Sequence, residues 1–168
     1  MKLLVDGYNL LHASGAFGHP DDEPSLETAR RALLGFLAQH LNERERPRTI
    51  VVFDGKDAPK GLPEVGSFEK IQILFSRRKQ SADDLIAELV AAEKQPRELM
   101  VISSDHGVQR SARQRGIVSQ DSETWIRELR AKQQTTNADE EKQTLSESTA
   151  EQQRWLREFS APTRRDQP

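Results

Sequence analysis

Four aspartates stand where β-rich runs give way to loops or helical patterns. Asp6 follows Lys2 to Val5, Asp54 follows Thr49 to Phe53, and Asp105 follows Leu99 to Ser104. Asp83 opens the helical pattern after Ile71 to Phe75. Carboxylates brought close together repel, and a fold tolerates this only if protons, basic side chains or a cation supply positive charge. An all-oxygen donor set suits Mg²⁺ or Mn²⁺ rather than zinc. The chain has no cysteine, and its four histidines, His12, His19, His40 and His106, lack paired metal-ligand spacing. Taken singly, each aspartate reads more readily as a helix cap or turn opener. Their joint placement at four independent strand ends points to a shared site.

The neighbouring residues sharpen the chemistry. In Asp6-Gly7-Tyr8-Asn9 the glycine allows a tight turn, which lets the Asn9 amide swing back toward Asp6 as an orienting group. Asn9 reads equally well as the cap of a helix starting near Leu10. Ser81-Ala82-Asp83-Asp84 resembles a capping box in which Asp84 serves the helix and leaves Asp83 to face the crevice. Arg77, Arg78 and Lys79 precede that helix and could grip phosphates, or form a solvated basic loop. Arg110, Arg113 and Arg115 could extend the basic track. Tyr8 could stack on a base or simply pack. Ser103 and Ser104 lack a Gly-x-Ser-x-Gly setting, and no P-loop or dinucleotide-binding glycine pattern occurs. An aspartate-nucleophile phosphatase would want a second aspartate two residues after Asp6, where Tyr8 stands.

These groups need a scaffold, and the hydrophobic periodicity supplies one. Lys2 to Val5, Thr49 to Phe53, Ile71 to Phe75 and Leu99 to Ile102 have the length and apolar content of buried strands, with Ile117-Val118 as a short fifth. Ser25 to Leu41, Ser81 to Ala92, Val108 to Arg115 and Ser122 to Ala131 carry helical stripes. Such alternation predicts an α/β fold, a three-layer α/β/α sandwich around a mostly parallel sheet. In that architecture ligands bind outside the carboxyl ends of the strands, where the four aspartates fall.

With 168 residues, one domain over residues 1–132 is expected. Residues 133–168 read as a polar tail in which Trp155, Leu156 and Phe159 form one apolar cluster. The 31% charged and 35% hydrophobic fractions agree with a chain whose tail adds little to a core. Residues 1–120 carry 17 basic and 17 acidic side chains, so overall charge does not choose a partner. The absence of cysteine, of a signal-peptide pattern and of any long apolar run predicts a cytoplasmic chain with no membrane partner.

Val5-Asp6-Gly7-Tyr8-Asn9-Leu10-Leu11, Val51-Val52-Phe53-Asp54-Gly55, Ser81-Ala82-Asp83-Asp84-Leu85-Ile86 and Ile102-Ser103-Ser104-Asp105-His106-Gly107-Val108-Gln109 occur in this order. Over residues 1–130 the chain thereby resembles the YacP-like branch of the NYN domain family, nucleases of PIN-like fold. The resemblance implies a metal-dependent endoribonuclease acting on single-stranded RNA, with ribosome-associated messenger cleavage in at least one branch. Carried over by motif, Asp6, Asp83 and Asp105 are metal ligands, Asn9 orients and Asp54 supports. Relatives often have a glycine-containing loop where this chain reads Ser76-Arg77-Arg78-Lys79-Gln80. The rival expectation is a non-catalytic RNA- or ribosome-binding module on the same fold.

Overall fold

The computed structural model describes residues 1–15, 26–57 and 64–132. Met1–Arg130 forms one compact unit. The expected tail and its Trp155, Leu156 and Phe159 cluster lie outside the described residues.

Apolar runs with few polar interruptions become the strands β1 (Lys2–Asp6), β2 (Thr49–Phe53), β4 (Ile71–Phe75) and β5 (Leu99–Ile102), joined by β3 (Val65–Phe68) and β6 (Val118–Gln120). They form one six-stranded sheet in the order β3-β4-β2-β1-β5-β6. Every pairing is parallel except that of β3 with β4. The helices are α1 (Gly7–Ser14), α2 (Leu26–His40), α3 (Ala82–Ala92), α4 (His106–Gln114) and α5 over residues 122–132. Among the described residues none is long and apolar enough to cross a membrane.

Successive strand residues point to opposite faces, so each buried strand feeds two cores. Val5, Val51, Phe53 and Ile71 pack with Leu10, Leu33, Leu37 and Trp125 of α1, α2 and α5. Leu4, Val52, Leu99 and Val101 pack with Ile86, Val90, Val108 and Ala112 of α3 and α4. Full burial of one such leucine or valine contributes roughly 1.5 to 3 kcal/mol. The two cores together make the expected three-layer sandwich.

The right-handed crossover rule explains which helix covers which face. The chain steps from β1 to β2 in one direction, with α1 and α2 on one face. It later passes from β4 back across β1 to β5 and on to β6, and this reversed direction puts α3 and α4 on the other face. The order therefore reverses between β1 and β5, and a crevice opens there above their carboxyl ends.

Three local features depart from the sequence expectations. An eight-residue helix begins directly at Gly7, with Asp6 as its cap, so Asn9 is a helical residue rather than the cap. Gly7 has no positive φ. Its reason is space, because a Cβ there would overlap the Phe53 ring and crowd the Val52 carbonyl. Strand β3 joins β4 through Glu69 and Lys70, whose φ values of 47° and 71° are those of a two-residue hairpin turn.

Gly55 shows the same close approach, since a Cβ would overlap the Ser76 carbonyl oxygen, which belongs to fixed backbone. Gly55→Ala should therefore cost about 1 to 3 kcal/mol through overpacking. Lys70→Gly should instead gain roughly 0.5 to 1 kcal/mol, the relief of left-handed strain less the added freedom of the unfolded chain. Denaturant melts of the two variants check both signs.

Candidate functional site

Asp6 is the last residue of β1 and lies at the centre of the sheet edge, 2% exposed. Its position follows from the motif. The strand ends, α1 starts at once, and the Asp6 side chain caps that start by accepting the Asn9 backbone N–H at 3.2 Å. The Asn9 side-chain amide also donates to Asp6 Oδ2, so the expected return of that amide is present. A third donor comes from the residue that follows β5: Ser103 Oγ donates to Asp6 Oδ2 at 3.0 Å, with Ser103 fully buried.

Ser103 also links Asp6 to the next carboxylate, because its Oγ accepts the Asp105 N–H at 3.1 Å. Asp105 caps α4, with Oδ1 accepting the Val108 N–H at 2.9 Å. Gly107 stays close to this carboxylate, and a Cβ there would stand 3.0 Å from Asp105 Oδ1. Gln109 Nε2 donates to the Ser103 carbonyl at 2.8 Å and fixes the turn from below. Sequence reasoning weighed Ser103 only as a nucleophile and missed this bridging role. The available signal was a hydroxyl two residues before the strand-end aspartate.

Asp54 follows β2 and is partly buried. Ser76 Oγ stands 3.4 Å from Asp54 Oδ1 while accepting the Gly55 N–H at 3.0 Å and donating to the Gln80 carbonyl at 2.7 Å. Lys56 Nζ lies 3.9 Å from Asp54 Oδ2, mostly in solvent, and so offsets little charge.

Ser81 caps α3 and forms a reciprocal capping box with Asp84. These hydrogen bonds hold the Asp84 carboxyl below its ordinary range. Asp83, one residue earlier, behaves oppositely. Desolvation, then the negative charges of Asp6, Asp105, Asp54 and Asp84, push its carboxyl up to about 6. Burial likewise raises Asp6, against the pull of Asn9 and Ser103. The fold thus brings Asp6, Asp54, Asp83 and Asp105 into one shared field of negative charge.

Among the described residues, no group of three or more His, Asp or Glu side chains is arranged to hold an ion directly. The donor set nevertheless fits a hard divalent cation in kind, with oxygen ligands and no histidine among them. Mg²⁺ in particular keeps several waters and takes only one or two carboxylates directly. Asp6 retains a free lone-pair position on Oδ1 beyond the hydrogen bonds described.

The basic residues separate into two kinds. Arg77, Arg78 and Lys79 are all exposed in the loop leading from β4 to α3. Arg110 and Arg113 are exposed on α4. Arg115 does not join them, because its guanidinium donates to the Ala91 and Glu93 carbonyls at 3.1 Å each. Tyr8 is packed, edge-on to Phe53 with ring centroids 5.5 Å apart, and its hydroxyl accepts from Arg30 at 3.2 Å. Arg30, 6% exposed, was not singled out from the sequence. It lies 5.6 Å from the Phe75 ring centroid and 6.0 Å from that of Phe53.

Comparison with known proteins agrees with this fold. The YacP-like NYN domain model matches residues 3–162. Over 130 residues the chain is 29% identical to the uncharacterized protein YacP of Bacillus subtilis strain 168, covering 76% of this chain and 74% of that protein. A crystal structure of a tryptophan-to-leucine mutant of Rae1 (YacP) from Bacillus subtilis matches with a TM-score of 0.62 and 24% identity. It covers 86% of this chain and 83% of that one. A second Rae1 (YacP) crystal structure matches with a TM-score of 0.58 and 25% identity, over 97% of this chain and 99% of that one.

The raised Asp83 carboxyl has a consequence for stability. Below the ordinary value of 3.8 both folded and unfolded chains carry its proton, and no penalty exists. As pH rises through about 6 the folded protein must ionise a group that the unfolded chain ionises more easily, so stability is lost. Metal-free Asp83→Asn should therefore melt above the wild type near about pH 7.5, with the gap closing at about pH 3.5. Thermal melts of both proteins in chelator across that range check it.

Proposed function

We propose, from the premise that the chain belongs to the YacP-like NYN domain family, that it is a metal-dependent endoribonuclease hydrolysing phosphodiester bonds of single-stranded RNA. Ribosome-associated messenger RNA is the narrower substrate assigned to it. One observation carries this reading: the Asp83 carboxyl, raised first by desolvation and then by neighbouring charge, shares the field of carboxylates that arrive from β1, β2 and the β5–α4 turn. Structural aspartates such as Asp84 and Asp121 are instead lowered by their hydrogen bonds. A crevice that concentrates negative charge is costly unless a cation completes it.

In this reading Asp6, Asp83 and Asp105 hold Mg²⁺ or Mn²⁺, with Asp54 in support. When bound, the ion supplies an acidified water and offsets charge on the scissile phosphate. The chain's own groups do the positioning. Asn9 and Ser103 fix both oxygens of Asp6, so that carboxylate loses no orientation when the substrate arrives. The turn from Ser103 to Asp105 keeps the third carboxylate in register with the first. Arg77, Arg78 and Lys79 draw phosphates toward an edge that would otherwise repel RNA.

A second reading, a non-catalytic RNA- or ribosome-binding module, draws on the lack of a directly assembled three-ligand group among the described residues. Cleavage decides between them. Asp83→Asn should lower Mn²⁺- or Mg²⁺-dependent cleavage of single-stranded RNA by at least about 100-fold, on the scale of losing one component of a metal site. It should leave RNA binding in place. Asp84→Asn should keep activity and lower the melting temperature slightly by weakening the capping box. If Asp84→Asn removes activity while Asp83→Asn stays active, the ligand role belongs one residue later. A wild type that binds RNA without cleaving it supports the binding module.

A further inference from the structure

An acidic edge repels RNA, and cations that hold the phosphates beside the cut offset that repulsion; the loop of Arg77, Arg78 and Lys79 lies on one side of this edge. It follows β4, while Asp54, Asp6 and Asp105 follow β2, β1 and β5 in spatial order across the sheet. With neighbouring strands about 4.8 Å apart, a strand of RNA crossing that edge leaves the acidic centre roughly 14 Å from the loop, on the side of α4.

The outer face of α4 is built differently from the rest of that edge. His106, Arg110, Arg113 and Gln114 fall at i, i+4, i+7 and i+8, so they share one helical face about 12 Å long. With Gln109 they line a cleft of 410 Å³, and no carboxylate is among the lining side chains. Arg113 is held in place by neutral partners only: Nη2 donates to Gln109 Oε1 at 3.0 Å and Nε to Ser119 Oγ at 3.4 Å. Its charge is thus oriented without being cancelled. Among the described residues neither Arg110 nor Arg113 is paired with an acid. The stripe begins at the residue after Asp105, so it is continuous with the acidic centre.

We infer that this face of α4 is a phosphate track, which holds the single-stranded RNA backbone on the side of the cut opposite to Arg77, Arg78 and Lys79. The inference rests on the ribonuclease reading and adds to it the path of the substrate. The lining favours a nucleic-acid backbone over an acidic protein. Protein interfaces centre on apolar or aromatic anchors, and this cleft is lined by polar and cationic side chains alone. Backbone phosphates ask only for oriented cations and polar donors.

The test is RNA affinity against salt, measured with Mg²⁺ in an Asp83→Asn background so that the RNA stays intact. Arg110→Ala with Arg113→Ala should weaken binding at least about tenfold at low salt and reduce the salt slope by roughly 1.4, because each single-strand phosphate contact contributes about 0.7. Arg110→Lys with Arg113→Lys should restore the slope, which a merely structural role for Arg113 would not. Arg115→Ala, a charge loss elsewhere on the surface, should leave the slope unchanged. With active protein, RNAs extended on only one side of the cut should separate the two basic patches. The α4 pair should raise KM for one extension and Arg77→Ala with Arg78→Ala for the other. An unchanged slope in the double alanine variant overturns the track, as does tighter binding of polyglutamate than of RNA. A lowered slope in a protein that never cleaves RNA keeps the track and overturns the ribonuclease reading instead.

Discussion

The structure depends on a carboxylate buried at the middle of a sheet edge. Asp6 ends the central strand β1, is nearly inaccessible, and accepts hydrogen bonds from the helix it caps and from Ser103 just after β5. An isolated buried carboxylate is expensive, and this one is kept by three donors whose own positions are fixed. The Asn9 groups come from the first turn of α1, which can start at once only because Gly7 lets the chain pass the Phe53 ring. The Ser103 hydroxyl comes from just after β5, on the far side of the switch in strand order. One residue therefore ties α1 to the segment that follows β5, across the switch in strand order.

From that tie the remaining acids follow. Ser103 carries Asp105 with it, and α3 opens its crossover with Asp83 in the same field, while Asp84 serves the cap. Capping and site chemistry are not alternatives here. Asp6 and Asp105 cap helices and also face the crevice, because a helix that begins directly after a parallel strand starts where ligands bind. The positive end of each helix partly offsets the concentrated negative charge. Despite that offset, burial raises the Asp6 carboxyl, and burial followed by the neighbouring carboxylates raises that of Asp83.

Much of this was legible in the sequence because the central strands are largely buried and read as apolar runs with few polar interruptions. β2, β4 and β5 occur with the expected bounds, and α3 begins after the expected serine. The residues that escaped did so for physical reasons. β3 has one packed face, and its hairpin turn uses Glu69 and Lys70 where asparagine and glycine would have announced it. α1 is short and starts without an intervening loop, so its apolar residues merge with those of β1. Ser103 and Arg30 act through partners distant in sequence, Asp6 and the rings of Phe53 and Phe75. Arg115 shares composition with Arg110 and Arg113, but two backbone carbonyls that only the fold brings near it take up its donors.

The central claim is that the charge gathered around Asp6 is completed by a divalent cation, and calorimetric titration of Mn²⁺ into metal-free protein near neutral pH tests it most directly. The account predicts saturable binding in the wild type, weakened by at least about tenfold in Asp6→Asn while the fold is retained. An Asp6→Asn chain that binds Mn²⁺ as tightly as the wild type, or a wild type that takes up none, would contradict it.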